Sequence, residues 1–205
     1  ELVTLYSSIA ALPEGFWKKK KLKETANLIA ACSGIFAETF TNNEQLVAGS
    51  NVRMNIAVIV RNNVPITLEK ITLNQFDSTM NLPMEVNKNY SFQHQMPVPN
   101  DFEITQPYWL KKPLAHGSFD VSNQQMIGKA QNDPPFITTY SFNIFGQDIQ
   151  LEKLLQYKFT DPTRGELHEP VAVIPALDIA VSPAIIFTNM LRDGKIIEPG
   201  NISIT

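Results

Sequence analysis

The chain has 205 residues, of which 43% are hydrophobic and 9% aromatic; this is the composition of a folded globular protein and excludes an intrinsically disordered one. Its formal net charge of −3 supplies no overall positive field that would draw it to nucleic acid or to an anionic membrane. The length allows one large β domain, or two to three small sandwiches behind a helical segment.

The first part of the chain predicts a helical lead-in. Residues 2–12 are expected to form one helix that ends at Pro13, and residues 16–33 a second helix that ends at Gly34. Apolar residues recur at helical spacing in the second helix and predict one buried face. These residues are Leu22, Ala26, Ile29 and Ala30.

The sequence also predicts the surroundings of the lysines, the cysteine and the tryptophan of the second helix. The lysines at 18–21 and 23 are interpreted as a solvated helix face, with either a late helix start or compensation from Glu14 and Glu24, because they oppose the helix dipole. Cys32, the single cysteine, is expected in the core, and Trp17 is expected to anchor the helix. One cysteine leaves the cellular compartment open.

Beyond Gly34 the hydrophobic period changes from 3.6 to 2, which predicts strands. Residues 52–60 alternate as a half-buried strand, residues 66–73 continue as a second strand with a bulge near Glu69-Lys70, and residues 90–96 form a third. Residues 97–135 are rich in proline and predict a connector with short edge strands.

The remainder of the chain predicts further short strands. A hairpin is expected from residues 136–145 and 149–159 around Gly146-Gln147-Asp148, followed by a turn over residues 161–165. Extended segments are also expected over residues 171–181 and 185–204.

This order of elements favours a mainly β fold of tandem immunoglobulin-like antiparallel β-sandwich modules, preceded by an N-terminal helical segment. The expected domains are a helical lead-in (1–41), a first β-sandwich module with the proline-rich connector (42–112) and a second module (113–205). The last range can include the opening strands of a third module.

The residue types that support catalysis do not form a motif in this sequence. His94, His116 and His168 have none of the spacings of zinc ligands, so we predict no metal site; His168 with Glu166 and Glu169 is the most suggestive group. We find no glycine-flanked nucleophilic serine and no phosphate-binding loop. We therefore predict no catalytic residue, no metal ligand and no cofactor in this chain.

Tyr108 and Trp109 are the candidate ligand-binding residues, because adjacent rings in the connector could stack on a sugar. The alternative, which we favour, is structural: Trp109 and Leu110 wedge into the seam between two modules, with Trp109 largely buried between Pro107 and Pro113.

Three stretches of the chain resemble the region downstream of the catalytic domain in large bacterial deacetylases of the PIG-L, or LmbE-like, family. They are LIAACSG at 28–34, ITQPYWL at 104–110 and DPTRGE at 161–166. The resemblance spans most of the chain, and its middle stretch is the most specific.

The resemblance implies that a zinc-dependent amidase domain acting on N-acetylated sugars precedes this region in one polypeptide. That domain would carry a histidine-proline-aspartate-aspartate motif, which this sequence lacks, so zinc is implied only for the absent domain. Family members look exported, which implies a periplasmic or extracellular location. We expect the reading frame upstream of Glu1 to encode the metal motif.

Two hypotheses about function follow. The chain is either a non-catalytic accessory region that packs on and positions a hydrolase domain, or an independent β-sandwich module that binds carbohydrate or another protein. The expected partners are the missing catalytic domain and, in the alternative, carbohydrate, with no nucleic acid and no membrane insertion. An apolar helix face left uncovered would favour the first hypothesis, and a concave aromatic platform the second.

Overall fold

The computed structural model describes residues 1–74 and 76–177, together with two short strands further on. The chain divides into two compact units, Glu1–Ile174 and Pro175–Thr205. In the second unit, Val181–Ser182 pairs antiparallel with Ser203–Ile204. The other segments expected between residues 178 and 205 lie outside the described residues.

The first unit contains two helices and ten strands among its described residues. The helices are α1 (Leu2–Ala10) and α2 (Phe16–Cys32). The strands are β1 (Ile35–Thr41), β2 (Gln45–Val47), β3 (Asn51–Val60), β4 (Ile66–Leu73), β5 (Phe76–Pro83), β6 (Asn89–Pro97), β7 (Ile137–Ile144), β8 (Gln147–Asp161), β9 (Gly165–Pro170) and β10 (Ala172–Ile174).

The two N-terminal helices are confirmed, and α2 buries three of the four residues of the predicted face, while the fourth, Leu22, is partly buried. Ala26, Ile29 and Ala30 are buried in the main hydrophobic cluster, and Gly34 ends the helix with φ +66°, a conformation that favours glycine. The helix starts at Phe16, so its start is not delayed by the lysines. Compensation is observed instead, because Lys18 and Lys21 form ion pairs of 2.7 Å with Glu14 and Glu24.

Two expectations about α2 are wrong. Cys32 is exposed rather than buried, because it lies to one side of the buried helix face, which continues from Ile29 to Ser33 instead. Trp17 does not anchor the helix. Its ring is exposed at the first turn, where it contacts Phe16 edge-on with 5.4 Å between ring centroids.

The main sheet has eight strands. Seven of them follow the order β5-β4-β7-β8-β1-β3-β6, and the eighth, β9, pairs with β8. Every pair in it is antiparallel except β1 with β8, which run parallel. The long strand β8 joins the two halves of the sheet: its first part pairs with β7, and its second part pairs with β1 and β9. The short strands β2 and β10 form a separate parallel pair.

The sheet curls until its two edges approach each other. Phe76 on edge strand β5 and His94 on the opposite edge strand β6 have ring centroids only 4.1 Å apart. Residues from both halves, such as Val58 of β3 and Phe142 of β7, lie in one buried cluster with α2. The core is therefore the inside of the curl, closed on one side by the helix.

Two predictions about the strands are confirmed, and the position of one hairpin turn differs from its prediction. In β3 the alternate residues Val52 to Val60 are buried, as predicted, and the pairing of β4 shifts register between Leu68 and Lys70, where a bulge was predicted. The β7–β8 hairpin is present, but its two-residue turn is Phe145-Gly146, with φ of +53° and +78°. It therefore lies one residue earlier than expected.

The mainly β fold behind two helices is confirmed, whereas the tandem immunoglobulin-like arrangement is not. Strand β7, from the expected second module, pairs with β4 of the expected first module. Strand β1 lies within the range expected to be a helical lead-in, and it pairs with β3 and β8. Hydrophobic periodicity predicts that a segment is a strand, but it contains no information on which strand will be its neighbour.

The connector differs from its expectation as well. Over residues 98–136 the structure has two single-turn 3₁₀ helices, Tyr108–Leu110 and Gln124–Met126, and one isolated bridge between Ala115 and Ser118, with no strand. Among the described residues, neither α1 nor α2 has the length and hydrophobicity needed to span a membrane.

Candidate functional site

Tyr108 and Trp109 lie on the first 3₁₀ turn of the connector, directly after Pro107. Their rings meet edge-to-face, with centroids 4.9 Å apart and planes at 90°, so they do not form one flat platform. Both side chains are partly buried. Leu110 was expected to wedge beside Trp109, but it is exposed.

Hydrogen bonds hold the backbone before this turn against strand β10 of the small β2–β10 sheet. Thr105 and Val173 of β10 bond to each other twice: the Thr105 N–H donates to the Val173 carbonyl at 2.8 Å, and the Val173 N–H donates to the Thr105 hydroxyl at 3.0 Å. The side chain of Asn132 accepts the Tyr108 N–H at 3.1 Å and donates to the Gln106 carbonyl. The loop that carries the two aromatic residues is thus held in place by hydrogen bonds.

A cleft of about 560 Å³ opens on the Tyr108 side of this loop, and we call it the tyrosine cleft. The lining residues used below are Asp101, Phe102, Glu103, Tyr108, Lys111 and Asp133. Phe102 stacks on the fully buried Phe136, with centroids 4.8 Å apart and planes at 22°. The cleft therefore combines an aromatic wall with several polar groups.

A second cleft of about 320 Å³, the tryptophan cleft, lies on the other side of the loop. Its wall is more apolar, and its lining includes Trp109, Pro107, Pro134, Leu154 and Val171. The two clefts adjoin, because residues of both flanking loops line both of them. The shared residues are Thr105, Asn132, Asp133 and Pro135.

Most charges of the tyrosine cleft are neutralised by neighbours. Lys111 forms an ion pair with Glu103. The Lys129 ammonium lies 2.8 Å from an oxygen of Asp133. Asp101 has no ion pair with any residue in the described part of the chain. The cleft is thus close to neutral while still offering hydrogen-bonding groups.

A separate group of charged residues lies where β1, β8 and β9 meet, and we call it the charged cluster: Glu38, Lys158, Glu166 and His168. The β8–β9 register pairs Lys158 with His168, so these two residues share a face of the sheet with Glu166 two positions away. The Lys158 ammonium lies 2.9 Å from Glu38 and 3.0 Å from Glu166. It also lies 4.6 Å from the centroid of the Phe40 ring.

The hydrogen bonds of this cluster shift the pKa values of two members. The imidazole of His168, 3.0 Å away, and the Lys158 ammonium together lower the pKa of Glu166. Partial burial is the largest single effect on Lys158 and lowers its pKa, but the hydrogen bonds and charges of Glu38 and Glu166 outweigh it and leave the pKa raised.

Glu38, Glu166 and His168 offer potential metal-ligand atoms within 4.8 Å of one another. Two carboxylates and an imidazole are a donor set that metals use, but the Lys158 ammonium already bridges both carboxylates. One Glu38 oxygen, Oε2, is buried without a hydrogen-bond partner. The arrangement fits an ion-pair network rather than a metal centre.

The three histidines have different surroundings. His168 is the histidine of this potential ligand group, His94 contacts Phe76 with the ring planes tilted by 38°, and His116 lies in an exposed turn with φ +50°. Glu169, grouped with His168 in the sequence, is not part of the ligand group. Sequence reasoning missed Glu38 and Lys158. The β-branched and aromatic residues of IFAETFT are typical of a strand, but apolar and polar residues do not alternate in it, so only the structure shows that Ala37, Thr39 and Thr41 face inward and Glu38 does not.

Helices α1 and α2 with the segment between them, which we call the helical hairpin, carry large apolar side chains that the described residues of the first unit leave uncovered. Residues 11–15, which join α1 to α2, and the first two residues of α2 are all exposed. Leu12, Phe16 and Trp17 are 53%, 71% and 65% exposed. Leu5 on α1 and Leu28 on α2 are also exposed.

No protein-family model matches the chain, and no curated protein matches it significantly.

Proposed function

We propose that this chain is a non-catalytic accessory region that packs on a hydrolase domain and positions it. The observation that supports this most directly is the apolar surface of the helical hairpin, which the described residues of the first unit leave uncovered. The resemblance to PIG-L-like deacetylases suggests the partner: a zinc-dependent domain of the same polypeptide that acts on N-acetylated sugars outside the cytoplasm.

Helix α1 provides the first argument. It contains no charged residue over Leu2–Ala10, and none of its residues is fully buried. Leu2, Val3 and Tyr6 pack partly against the core cluster, while Leu5, beside this face, is exposed. The exposed residues of α1 are Thr4, Leu5, Ser8 and Ala10, and none of them carries a charge. Surface helices normally have charged residues among those of the outer face, so an uncharged helix of this kind fits a position between two packed domains.

The tip of the hairpin provides the second argument. Phe16 and Trp17 contact each other and are both exposed, and Leu12, four positions before Phe16 in the chain, is exposed as well. Further along α2, Leu28 lies on the Trp17 side, since positions 17, 21, 24 and 28 share a helix face. Lys21 and Glu24, which form an ion pair, lie between them on this face. Exposed large aromatic side chains with charged neighbours are typical of protein–protein contact sites.

Binding between this chain and the separately produced domain encoded upstream would test the proposal. Phe16→Ser/Trp17→Ser should weaken binding at least tenfold by isothermal titration calorimetry, because large exposed aromatics dominate interface energies. Phe119→Ser removes an exposed phenylalanine of the connector and serves as the matched control, which should bind as the wild type does.

Absence of binding by the wild-type chain would contradict the proposal, as would equal affinities for the hairpin variant and the control. Thermal unfolding of both variants provides the folding check. Neither replacement should lower the melting temperature appreciably, because all three side chains are exposed.

A further inference from the structure

We propose that the tyrosine and tryptophan clefts together form a binding site for a neutral oligosaccharide. This inference goes beyond the docking role and does not depend on it, because the docking surface is the helical hairpin and the clefts are built from the connector, β8 and β9.

The dimensions and the arrangement of the rings favour a ligand of repeated units. Each cleft lies within the range of about 300–1,000 Å³ that is usual for small-molecule sites. Tyr108 lines one cleft and Trp109 the other, with ring planes at 90°. Each ring can therefore stack on a different unit of a chain that bends across the loop, whereas one flat ligand could contact only one of them.

The charges argue for a neutral ligand. A cationic ligand would have to compete with Lys111 for Glu103 and with Lys129 for Asp133. An anionic ligand would meet three carboxylates, those of Asp101, Glu103 and Asp133, along the tyrosine cleft. Hydroxyl groups avoid both costs, because they can donate to carboxylates that remain paired with their lysines.

The aromatic residues are amphipathic and are held in place before a ligand arrives. Tyr and Trp each present an apolar face to the C–H groups of a sugar ring and a polar tip to its hydroxyls. Thr105 and Asn132 form hydrogen bonds that hold the backbone of the loop carrying both rings. A loop that is already held by hydrogen bonds loses little conformational entropy when a ligand binds, which raises the affinity.

Tryptophan fluorescence provides a direct assay, since the chain contains only two tryptophans. In a Trp17→Phe background, Trp109 is the sole tryptophan reporter, and we would titrate this protein with cellohexaose and with chitohexaose. We expect saturable binding of at least one of these neutral oligosaccharides. Trp109→Ala and Tyr108→Ala in the full chain should each weaken this binding at least tenfold by calorimetry.

The controls separate loss of binding from loss of folding. Trp109→Phe and Tyr108→Phe keep an aromatic ring, so they should retain affinity to within about threefold even if the alanine variants unfold. Trp17→Ala removes an exposed tryptophan outside the clefts and should bind sugar as the wild type does. Because that variant alters the helical hairpin, its unchanged sugar affinity would also separate this site from the docking surface.

Several results would overturn the proposal. One is no saturable binding of either sugar at millimolar concentration. A second is equal binding by Trp109→Ala and wild type. A third is tighter binding of oligolysine or of an oligogalacturonate than of the neutral sugars, which would show that charge rather than ring stacking determines the ligand.

Discussion

Replacing Lys158 should expose the energetic role of the charged cluster. Its ammonium pairs with both Glu38 and Glu166, and the side chains of Lys158 and Glu38 are only 18% and 15% exposed. Lys158→Met keeps most of the packing volume but leaves the Glu38 carboxylate without its cation in a site where Oε2 is already buried and unpaired.

The expected cost can be bounded. Removing one partner of a fully buried ion pair typically costs about 3–5 kcal/mol, while exposed pairs contribute about 0–1 kcal/mol. Since both side chains retain some contact with water, we expect Lys158→Met to lower the free energy of unfolding by about 2–3 kcal/mol. The measurement is urea unfolding at pH 7, followed by circular dichroism.

A second variant tests whether the unpaired charge of Glu38 causes the loss of stability. Glu38→Gln removes the charge that Lys158→Met leaves unpaired, so the double variant Glu38→Gln/Lys158→Met should recover at least half of the loss. A loss below about 0.5 kcal/mol for Lys158→Met would place the pair among ordinary surface ion pairs and refute the reasoning. A double variant no more stable than Lys158→Met would refute it as well.

Four further predictions concern the fold and the activity. Ile29→Ala should cost about 2–4 kcal/mol in unfolding free energy, because Ile29 is 2% exposed between α2 and the sheet; Leu28→Ala on the exposed side of the same helix is the control. Phe145→Asn should raise stability by about 0.5–1 kcal/mol, since Phe145 has φ +53° in a two-residue hairpin turn that favours Asn-Gly; a lower melting temperature would contradict this. The pKa of Glu166 is lowered, so its stabilising effect should be present above the ordinary value of 4.5 and be lost as the pH falls through the lowered pKa. The stability difference between wild type and Glu166→Gln should therefore shrink on acidification, and a difference independent of pH would count against it. Finally, the isolated chain with added zinc should release no acetate from N-acetylglucosamine oligomers, and measurable release would overturn the non-catalytic assignment.

The predictions that hold are those that depend on neighbours in the sequence. The alternation in β3, the bulge near residue 69, the buried face of α2 and the glycine after that helix each depend on a few consecutive residues. Side-chain spacing and backbone preference act over such short distances, so a pattern of five to ten residues predicts them. Tyr108 and Trp109 could be named as candidates for the same reason.

The sequence by itself thus determined that the chain is mainly β, that two helices precede the strands and where most turns fall. Only the tertiary structure decided that β1 pairs parallel with β8, that Phe76 meets His94 across the closing edges, and that Lys158 bridges Glu38 and Glu166. It also decided that Tyr108 and Trp109 line separate clefts. These contacts join residues far apart in the chain, and they form because the curled sheet buries apolar surface from both of its halves while pairing its backbone groups, a condition that no local pattern encodes.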